Sequence, residues 1–337
     1  MKNAYDRLVR PLLFSLDTEA AHHLTIALLR TASHVDVALR ALEIFQPRPK
    51  PRVLFGVTFP NPIGLAAGLD KNGVAIPAWA ALGFGFIEIG TVTAKSQAGN
   101  PKPRIFRFPE RQALVNRLGF NNDGADVIAE RMHKLRESGR WPAVPVGINI
   151  GKSKATPLED AADDYLYSFR LLSEFADYIA LNVSSPNTPG LRELQGPAAL
   201  SQLLRAIRNE NRKNPKPVLV KIAPDLSSNE LEELMATCEE NEIGGIIATN
   251  TTLDHSSIPS ARDQEGGLSG APLREKSTAV VRRIAARSTI PVVGSGGISD
   301  AESAREKFAA GARLLQIYTG YIYRGPRLLR EIMESVL

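Results

Sequence analysis

What most limits the folds open to this chain is a rhythm in its apolar residues. Eight short runs rich in valine and isoleucine recur along it: Ile63–Ala67, Phe86–Thr93, Val146–Ile150, Tyr178–Ser184, Val218–Ala223, Gly245–Asn250, Pro291–Gly296 and Leu314–Thr319. Runs of this length and composition predict strands buried on both faces. Stretches at helical spacing alternate with them, among them Asp123–Glu137, Pro157–Glu174, Pro197–Arg212, Ser228–Asn241, Pro272–Arg287 and Ala301–Ala310. Eight strand–helix units favour an α/β chain closed into a (β/α)8 TIM barrel over an open doubly wound sheet. Two segments break the rhythm. Val53–Phe59 reads as a β-hairpin ahead of the first run, and Ser96–Phe120 is too long for a βα loop. Its strand-like pieces, Arg104–Phe108 and Ala113–Phe120, predict a β insertion over the barrel mouth.

Residues 1–46 lie outside the pattern and hold three of the five histidines. Short helices are expected at Tyr5–Phe14, Thr18–Thr31 and Val35–Phe45. Within the second, Ala20, Leu24, Ala27, Leu28 and Thr31 form a stripe at helical spacing. Short helices cannot bury such a stripe, together with Leu13, Phe14, Leu16, Ile26 and Leu29, among themselves. It packs on the main body, on a lipid surface or on an apolar ligand, the body being the ordinary outcome. Pro47-Arg-Pro-Lys-Pro51 is stiff and extended, which suggests a linker. The expected division is a helical extension (1–46), a linker (47–52) and the barrel (53–337).

Composition narrows the function. The single cysteine, Cys238, excludes an intramolecular disulfide and a cysteine-based zinc cluster, and fits a reducing compartment. It falls in a helical stretch, where a buried thiol is expected, and no metal site is read here. No apolar run is long enough to cross a bilayer, and Asp6, Asp17 and Glu19 interrupt any signal-peptide pattern. A net charge of +5 with scattered basic residues, and aromatics at only 6%, argue against a nucleic-acid platform. An anionic substrate, cofactor or lipid surface suits that charge better.

Active sites of such barrels lie at the C-terminal ends of the strands. Each of the eight runs ends in polar or glycine residues: Ala66-Ala-Gly-Leu-Asp-Lys71, Gly90-Thr91, Asn149, Asn182-Val-Ser-Ser-Pro-Asn-Thr-Pro-Gly190, Lys221, Thr249-Asn-Thr251, Gly294-Ser-Gly-Gly297 and Tyr318-Thr-Gly320. A turn or cap explains any one of them, but not all eight. The glycines at 294–297, with Gly266-Gly-Leu-Ser-Gly270, read either as a nest of N–H groups for a phosphate or as bare turns. Lys221 sits inside an apolar run, and a buried ammonium needs a partner or a task. It reads as a Schiff-base nucleophile, as a cation facing an anionic ring, or as a structural partner of Glu88.

These motifs together resemble dihydroorotate dehydrogenases, specifically the membrane-associated, quinone-using class 2 enzymes. The resemblance runs over essentially the whole chain and adds Asn116-Arg-Leu-Gly-Phe-Asn121, Gly147-Ile-Asn-Ile-Gly151, Lys221-Ile-Ala-Pro-Asp225 and Gln316-Ile-Tyr-Thr319 to the stretches above. It implies FMN as cofactor and oxidation of dihydroorotate to orotate in pyrimidine synthesis. The implied flavin contacts are Ala66, Ala67, Gly68, Asp70, Thr91, Asn149, Asn182, Lys221, Thr249, Gly270, Gly297, Tyr318 and Thr319. The implied substrate contacts are Lys71, Asn116, Arg117, Leu118, Gly119, Phe120, Asn182, Asn187, Asn250 and Thr251. Orotate is a flat ring of amides bearing a carboxylate, which asparagines and a lysine suit. Ser185 corresponds to the base, with Thr188 passing the proton on, and serine rather than cysteine there selects class 2. His22 and Arg107 correspond to a polar pair for the head of a ubiquinone or menaquinone, with Tyr318 between tunnel and flavin; otherwise His22 is a surface residue. The resemblance further implies a monomer held peripherally by its N-terminal helices on the cytoplasmic face of a bacterial inner membrane. Two other readings stay open, a Schiff-base aldolase or lyase using Lys221 and a non-catalytic flavin-binding membrane module.

Overall fold

The computed structural model describes residues 5–336. A hairpin of β1 (Arg52–Leu54) and β2 (Val57–Phe59) precedes β3 (Ile63–Leu65) and β4 (Phe86–Val92), and β5 (Ile105–Phe108) and β6 (Ala113–Asn116) belong to the insertion. Then follow β7 (Val146–Ile150), β8 (Tyr178–Asn182), β9 (Val218–Ile222), β10 (Gly245–Ala248), β11 (Gly267–Gly270), β12 (Val292–Ser295) and β13 (Ala312–Ile317). Eight of these close a parallel barrel in the order β3-β4-β7-β8-β9-β10-β12-β13 and back to β3. The expected architecture is therefore the observed one.

The period-two alternation of the strands sorts the barrel interior into layers. Phe86, Tyr178, Leu219, Ile247, Val293 and Leu314 form an apolar cluster with Phe59 and Ala180. Leu54, Phe55 and Val57 of the β1–β2 hairpin pack beneath it as a plug. Two glycines make room for the rings: a Cβ on Gly64 would lie 2.2 Å from the Phe86 ring, and one on Gly147 would lie 2.1 Å from that of Tyr178. Two residues further along the same strands the interior turns polar, with Glu88, Asn149, Asn182, Lys221 and Gln316 all buried. The larger apolar core lies between the barrel and its helices.

Helices alternate with the strands as the spacing predicts. The extension holds a π-helical turn (Tyr5–Val9), α1 (Arg10–Ser15), α2 (Thr18–Ala32) and α3 (Asp36–Leu42), and α4 (Ile76–Ala81) follows β3. Around the barrel run α5 (Ala125–Glu137), α6 (Ala161–Leu172), α7 (Pro197–Asn211), α8 (Ser228–Glu240), α9 (Arg274–Arg287) and α10 (Ala301–Ala309). Helices α11 (Thr319–Arg324) and α12 (Arg327–Val336) complete the chain. Capping chemistry sets several starts: Asp17 accepts from the N–H groups of Glu19 and Ala20, Ser227 boxes with Glu230, and Asp300 boxes with Ser303. Cys238 on α8 is buried, which pushes its thiol up to about 12.

Three details differ from expectation. The stripe Ala20, Leu24, Ala27, Leu28 and Thr31 of α2 is exposed; it is the opposite face, Ala21, His22, Thr25, Ile26 and Leu29, that turns inward. The second insertion strand stops at Asn116, and Gly267–Gly270 is not a loop but a third strand, pairing Leu268 with Val115 and Gly270 with Ala113. Arg52 of the expected linker already belongs to β1, where it pairs with Phe59.

Candidate active site

The polar interior layer is one connected network. Asn182 Nδ2 donates to Thr91 Oγ1 at 2.8 Å, and Thr91 Oγ1 donates to Asn149 Oδ1 at 2.6 Å. Asn149 Nδ2 then reaches Glu88 Oε1 at 3.0 Å, while the other Glu88 oxygen accepts from Tyr178 Oη at 2.9 Å and Gln316 Nε2 at 2.5 Å. Lys221 Nζ lies 3.9 Å from Glu88 Oε1. Burial depresses the Lys221 ammonium, with Glu88 opposing the shift. The two side chains thus form a loose ion pair rather than a saturated one, and Lys221 also faces a cleft.

That cleft opens at the C-terminal ends of the strands. Its walls include Ala66, Ala67 and Gly68 after β3, Thr91 on β4, Asn182 and Ser185 at β8, Lys221 on β9 and Thr249, Asn250 and Thr251 after β10. Gly270, Gly296, Gly297, Tyr318, Thr319 and Gly320 line it as well. The insertion closes it with Asn116, Leu118, Gly119 and Phe120, and Lys71 and Asn187 complete the wall. Its amides are interlinked: Asn250 Nδ2 donates to Asn182 Oδ1 (3.2 Å) and Ser184 Oγ (3.0 Å), and Asn187 Nδ2 donates to Asn116 O (3.0 Å) and Oδ1 (3.2 Å). Ser185 Oγ accepts the backbone N–H of Asn187 at 3.2 Å. Lys71 Nζ donates to Gly68 O at 2.8 Å, and burial lowers its ammonium to about 8, Arg104 adding to the effect.

A second cavity lies between the extension and the barrel, with Tyr318 in the walls of both. It measures about 1130 Å³ and is lined in part by Leu13, Phe14, Ala21, His22, Thr25, Ile26 and Leu29 of the extension, with Leu69, Trp79, Ile105, Arg107, Leu114 and Tyr321 opposite and the charged Arg324, Arg327, Arg330, Glu331 and Glu334 from the C-terminal helices. Burial, then the Lys71 charge, lowers His22 well below its ordinary value, so the imidazole is neutral. Arg107 donates to Thr18 Oγ1 (3.0 Å), Leu13 O (3.1 Å) and Leu16 O, and its guanidinium lies 4.6 Å from the centre of the Phe14 ring. Burial pushes the Tyr318 phenol up to about 12.

The family model for dihydroorotate dehydrogenase matches residues 52–337. The chain belongs to the dihydroorotate dehydrogenase family. Among its relatives, a protein of Gloeobacter violaceus named dihydroorotate dehydrogenase (quinone) is 52% identical over 334 residues, covering 98% of this chain and 93% of that one. A protein of the same name from Chloroflexus aurantiacus is 48% identical, covering 98% and 95%. Solved structures of DHODH from Eimeria tenella superpose with TM-scores of 0.85 with ferulenol bound and 0.86 ligand-free. They are 34% and 35% identical and cover 97% and 95% of this chain, and 94% of each of those chains.

Most residues singled out from the family's motifs line the cleft, and four do not. Asp70 turns into its own loop, where its carboxylate accepts the N–H groups of Val74 (2.9 Å) and Ala75 (2.8 Å). Asn149 stands behind Thr91. Arg117 donates to Pro103 O and lies over the Phe106 ring, away from the cleft. Thr188 is buried, its hydroxyl without a partner among the described residues.

The cleft also contains residues that the sequence motifs include without giving them a role, notably Ser269, Ser295, Gln316 and Gly320. Period two was the available signal for Gln316 and Glu88, since each falls two places after an interior apolar residue, Leu314 and Phe86. Ser269 carried no such signal, because its position depends on pairing between distant segments.

Family membership implies a flavoenzyme, and the donor set suits one. The cleft is tight, about 140 Å³ against the ~300 Å³ or more of an ordinary ligand site. Chemically the walls invite a polar guest. Thr251 Oγ1 and Gln316 Oε1 are buried without partners among the described residues. The N–H groups of Gly297 and Gly320 likewise meet no acceptor there, which suits an anionic group.

Proposed function

We propose that this chain oxidises (S)-dihydroorotate to orotate, with FMN as hydride acceptor and a membrane quinone, ubiquinone or menaquinone, as final oxidant, in de novo pyrimidine synthesis. The observation that carries the reading is one cleft in which Asn116, Asn182, Asn187 and Asn250 converge with Ser185, Lys71 and Lys221, joined through Tyr318 to a large apolar cavity. Relatives about half identical over nearly the full chain bear the name dihydroorotate dehydrogenase (quinone).

Ala66, Ala67, Gly68, Thr91, Asn182, Lys221, Thr249, Gly270, Gly297, Tyr318 and Thr319 would hold the flavin, with Asp70 shaping the loop and Asn149 orienting Thr91 from behind. Bound FMN supplies a two-electron acceptor for the hydride leaving C6 of the substrate. The four asparagines and Thr251 pair the amide edges of the substrate ring, and Lys71 meets its carboxylate. Leu118, Gly119 and Phe120 cover the ring, and Arg117 braces the strand that presents them.

Ser185 Oγ takes the proton from C5. The Asn187 N–H at 3.2 Å stabilises negative charge on that oxygen. As the C5 proton arrives, the Ser185 hydroxyl would give its own proton to the Thr188 hydroxyl, which is buried without a partner among the described residues, and Thr188 would give its proton to water. Lys221 supplies buried positive charge where electron density is delivered.

In the larger cavity neutral His22 and Arg107 meet the quinone head. Among the described residues Arg107 has two donors to spare, because three of the five N–H groups of a guanidinium are engaged. Exposed Leu8, Leu12, Leu28, Val37 and Ile44 rest the extension on lipid. No helix among the described residues is long and apolar enough to cross a membrane. In this reading the protein is a peripheral monomer that lies through its N-terminal helices on the cytoplasmic face of a bacterial inner membrane. Anaerobic addition of dihydroorotate to the purified protein tests this. The flavin absorbance should bleach and return with a quinone analogue; no flavin, or no bleaching, ends the reading.

A further inference from the structure

Lys307 on α10 is 0% exposed, and the reaction above has no use for it. Its Nζ donates to Ser277 Oγ on α9, its one hydrogen-bond partner among the described residues. An ammonium carries three donors, so two of them are left inside the protein. Glu306, the adjacent acid, is engaged elsewhere: its two carboxylate oxygens take Arg274 Nη2 at 2.6 Å and Nε at 2.7 Å. Burial pushes Lys307 down to about 7. A buried amine with one neutral partner sheds its proton readily unless an anion within reach holds it charged.

The surroundings indicate where that anion would sit. Ser277 Oγ donates in turn to Gly296 O at 2.9 Å. The C=O of Gly296 and the N–H of Gly297 belong to one trans peptide and point in opposite directions. Drawing the carbonyl back toward Ser277 therefore aims the Gly297 N–H the other way, and Gly297 lines the cleft. Gly294 leaves space for the lysine stem, since a Cβ there would lie 2.6 Å from Lys307 Cγ. The other lysines of the cleft, Lys71 and Lys221, are assigned above to the substrate carboxylate and the flavin ring.

We propose that Lys307 is a positioning residue and buried counter-charge for the cofactor's phosphate. Through Ser277 it sets the Gly296–Gly297 peptide, and its charge makes the site prefer FMN over riboflavin. The inference rests on the FMN reading given above.

Flavin-free protein titrated with FMN and with riboflavin, followed by fluorescence, tests it. Lys307→Met keeps the stem length and removes a buried charge, so the flavin-free variant should melt no lower than wild type. Its FMN affinity should fall by about tenfold or more, with riboflavin affinity unchanged. Inorganic phosphate should raise the melting temperature of flavin-free wild type and not that of the variant. Ser277→Ala, which frees the Gly296 carbonyl, should also weaken FMN selectively, and it decides the matter alone if Lys307→Met does not fold. Unchanged FMN affinity, or equal losses for both flavins, would overturn the role of Lys307. Wild-type protein that binds neither flavin would overturn the proposed function and this inference with it.

Discussion

A serine hydroxyl is a poor base, so what surrounds Ser185 decides whether it can take a proton. Its oxygen is buried and accepts a backbone N–H, and three residues on the Thr188 hydroxyl is without a partner among the described residues. Ser185→Ala should retain orotate binding yet bleach the flavin at least about a hundredfold more slowly in stopped flow; near-normal bleaching would remove Ser185 from the step. Lys71 makes a pH prediction. Burial lowers its pKa from 10.5 to about 8, so it is charged below pH 8 and neutral above. Orotate affinity, read from the flavin spectrum, should therefore weaken as pH rises past about 8, and Lys71→Met should bind weakly with that pH dependence lost. The sign for stability is opposite. Between about 8 and 10.5 the unfolded chain holds the extra proton, so the cost of burying this lysine is present below pH 8 and lifts as pH rises. At this scale most of the site was legible, because strand-end positions expose their chemistry in sequence. Asp70 and Arg117 were less so, since residue type does not reveal which way a loop side chain turns.

Between elements, two contacts hold the site's frame. Glu19 of α2 and Arg104 beside β5 form a buried pair at 2.7 Å, and Arg104 also donates to Ala98 O and Asn100 O. Asn100 in turn donates to Arg117 O and Asn187 O. The pair therefore ties the extension to the loop that closes the cleft. Arg104→Met leaves buried Glu19 with only the looser Lys102 (3.5 Å) and His23 (3.4 Å) and should destabilise the protein in denaturant melts by up to about 3–5 kcal/mol. Adding Glu19→Gln should recover part of that loss, whereas additive losses would show that the two side chains are independent. In the barrel interior, Gly147→Ala would press on the Tyr178 ring and should cost about 1–3 kcal/mol. Elements inside the rhythm were legible in the sequence. The orientation of α2 was not, because apolar periodicity marks a face without saying what it meets. Strand β11 was missed because its glycines read as a turn until the insertion supplied a partner.

For the molecule as a whole, the arrangement that matters is two cavities of opposite character meeting at Tyr318. One is narrow, amide-lined and positively charged; the other is wide, apolar where the extension faces the barrel and charged where Arg324, Arg327, Arg330, Glu331 and Glu334 line it, beneath helices whose outer residues face solvent. Leu12 is 65% exposed and Leu28 is 62% exposed. Leu12→Glu with Leu28→Glu should release the protein from sedimenting lipid vesicles and slow turnover with a long-chain quinone. Bleaching by dihydroorotate should continue at its normal rate in that variant. If vesicle binding is unaffected, the lipid-facing assignment of these residues fails.

The sequence by itself determined the barrel, since eight apolar runs of strand length have few other ways to bury both faces. It also determined the reactive inventory, since strand-end asparagines, serine and lysines stand out against apolar runs. Tertiary structure decided what depends on distance along the chain. It brought Gln316 and Tyr178 onto the same Glu88 carboxylate, paired Gly267–Gly270 with Ala113–Asn116, turned one face of α2 toward the barrel and placed Lys307 behind the glycine loop. Local spacing fixes which face of a strand or helix a residue occupies, but only chain closure fixes what lies opposite.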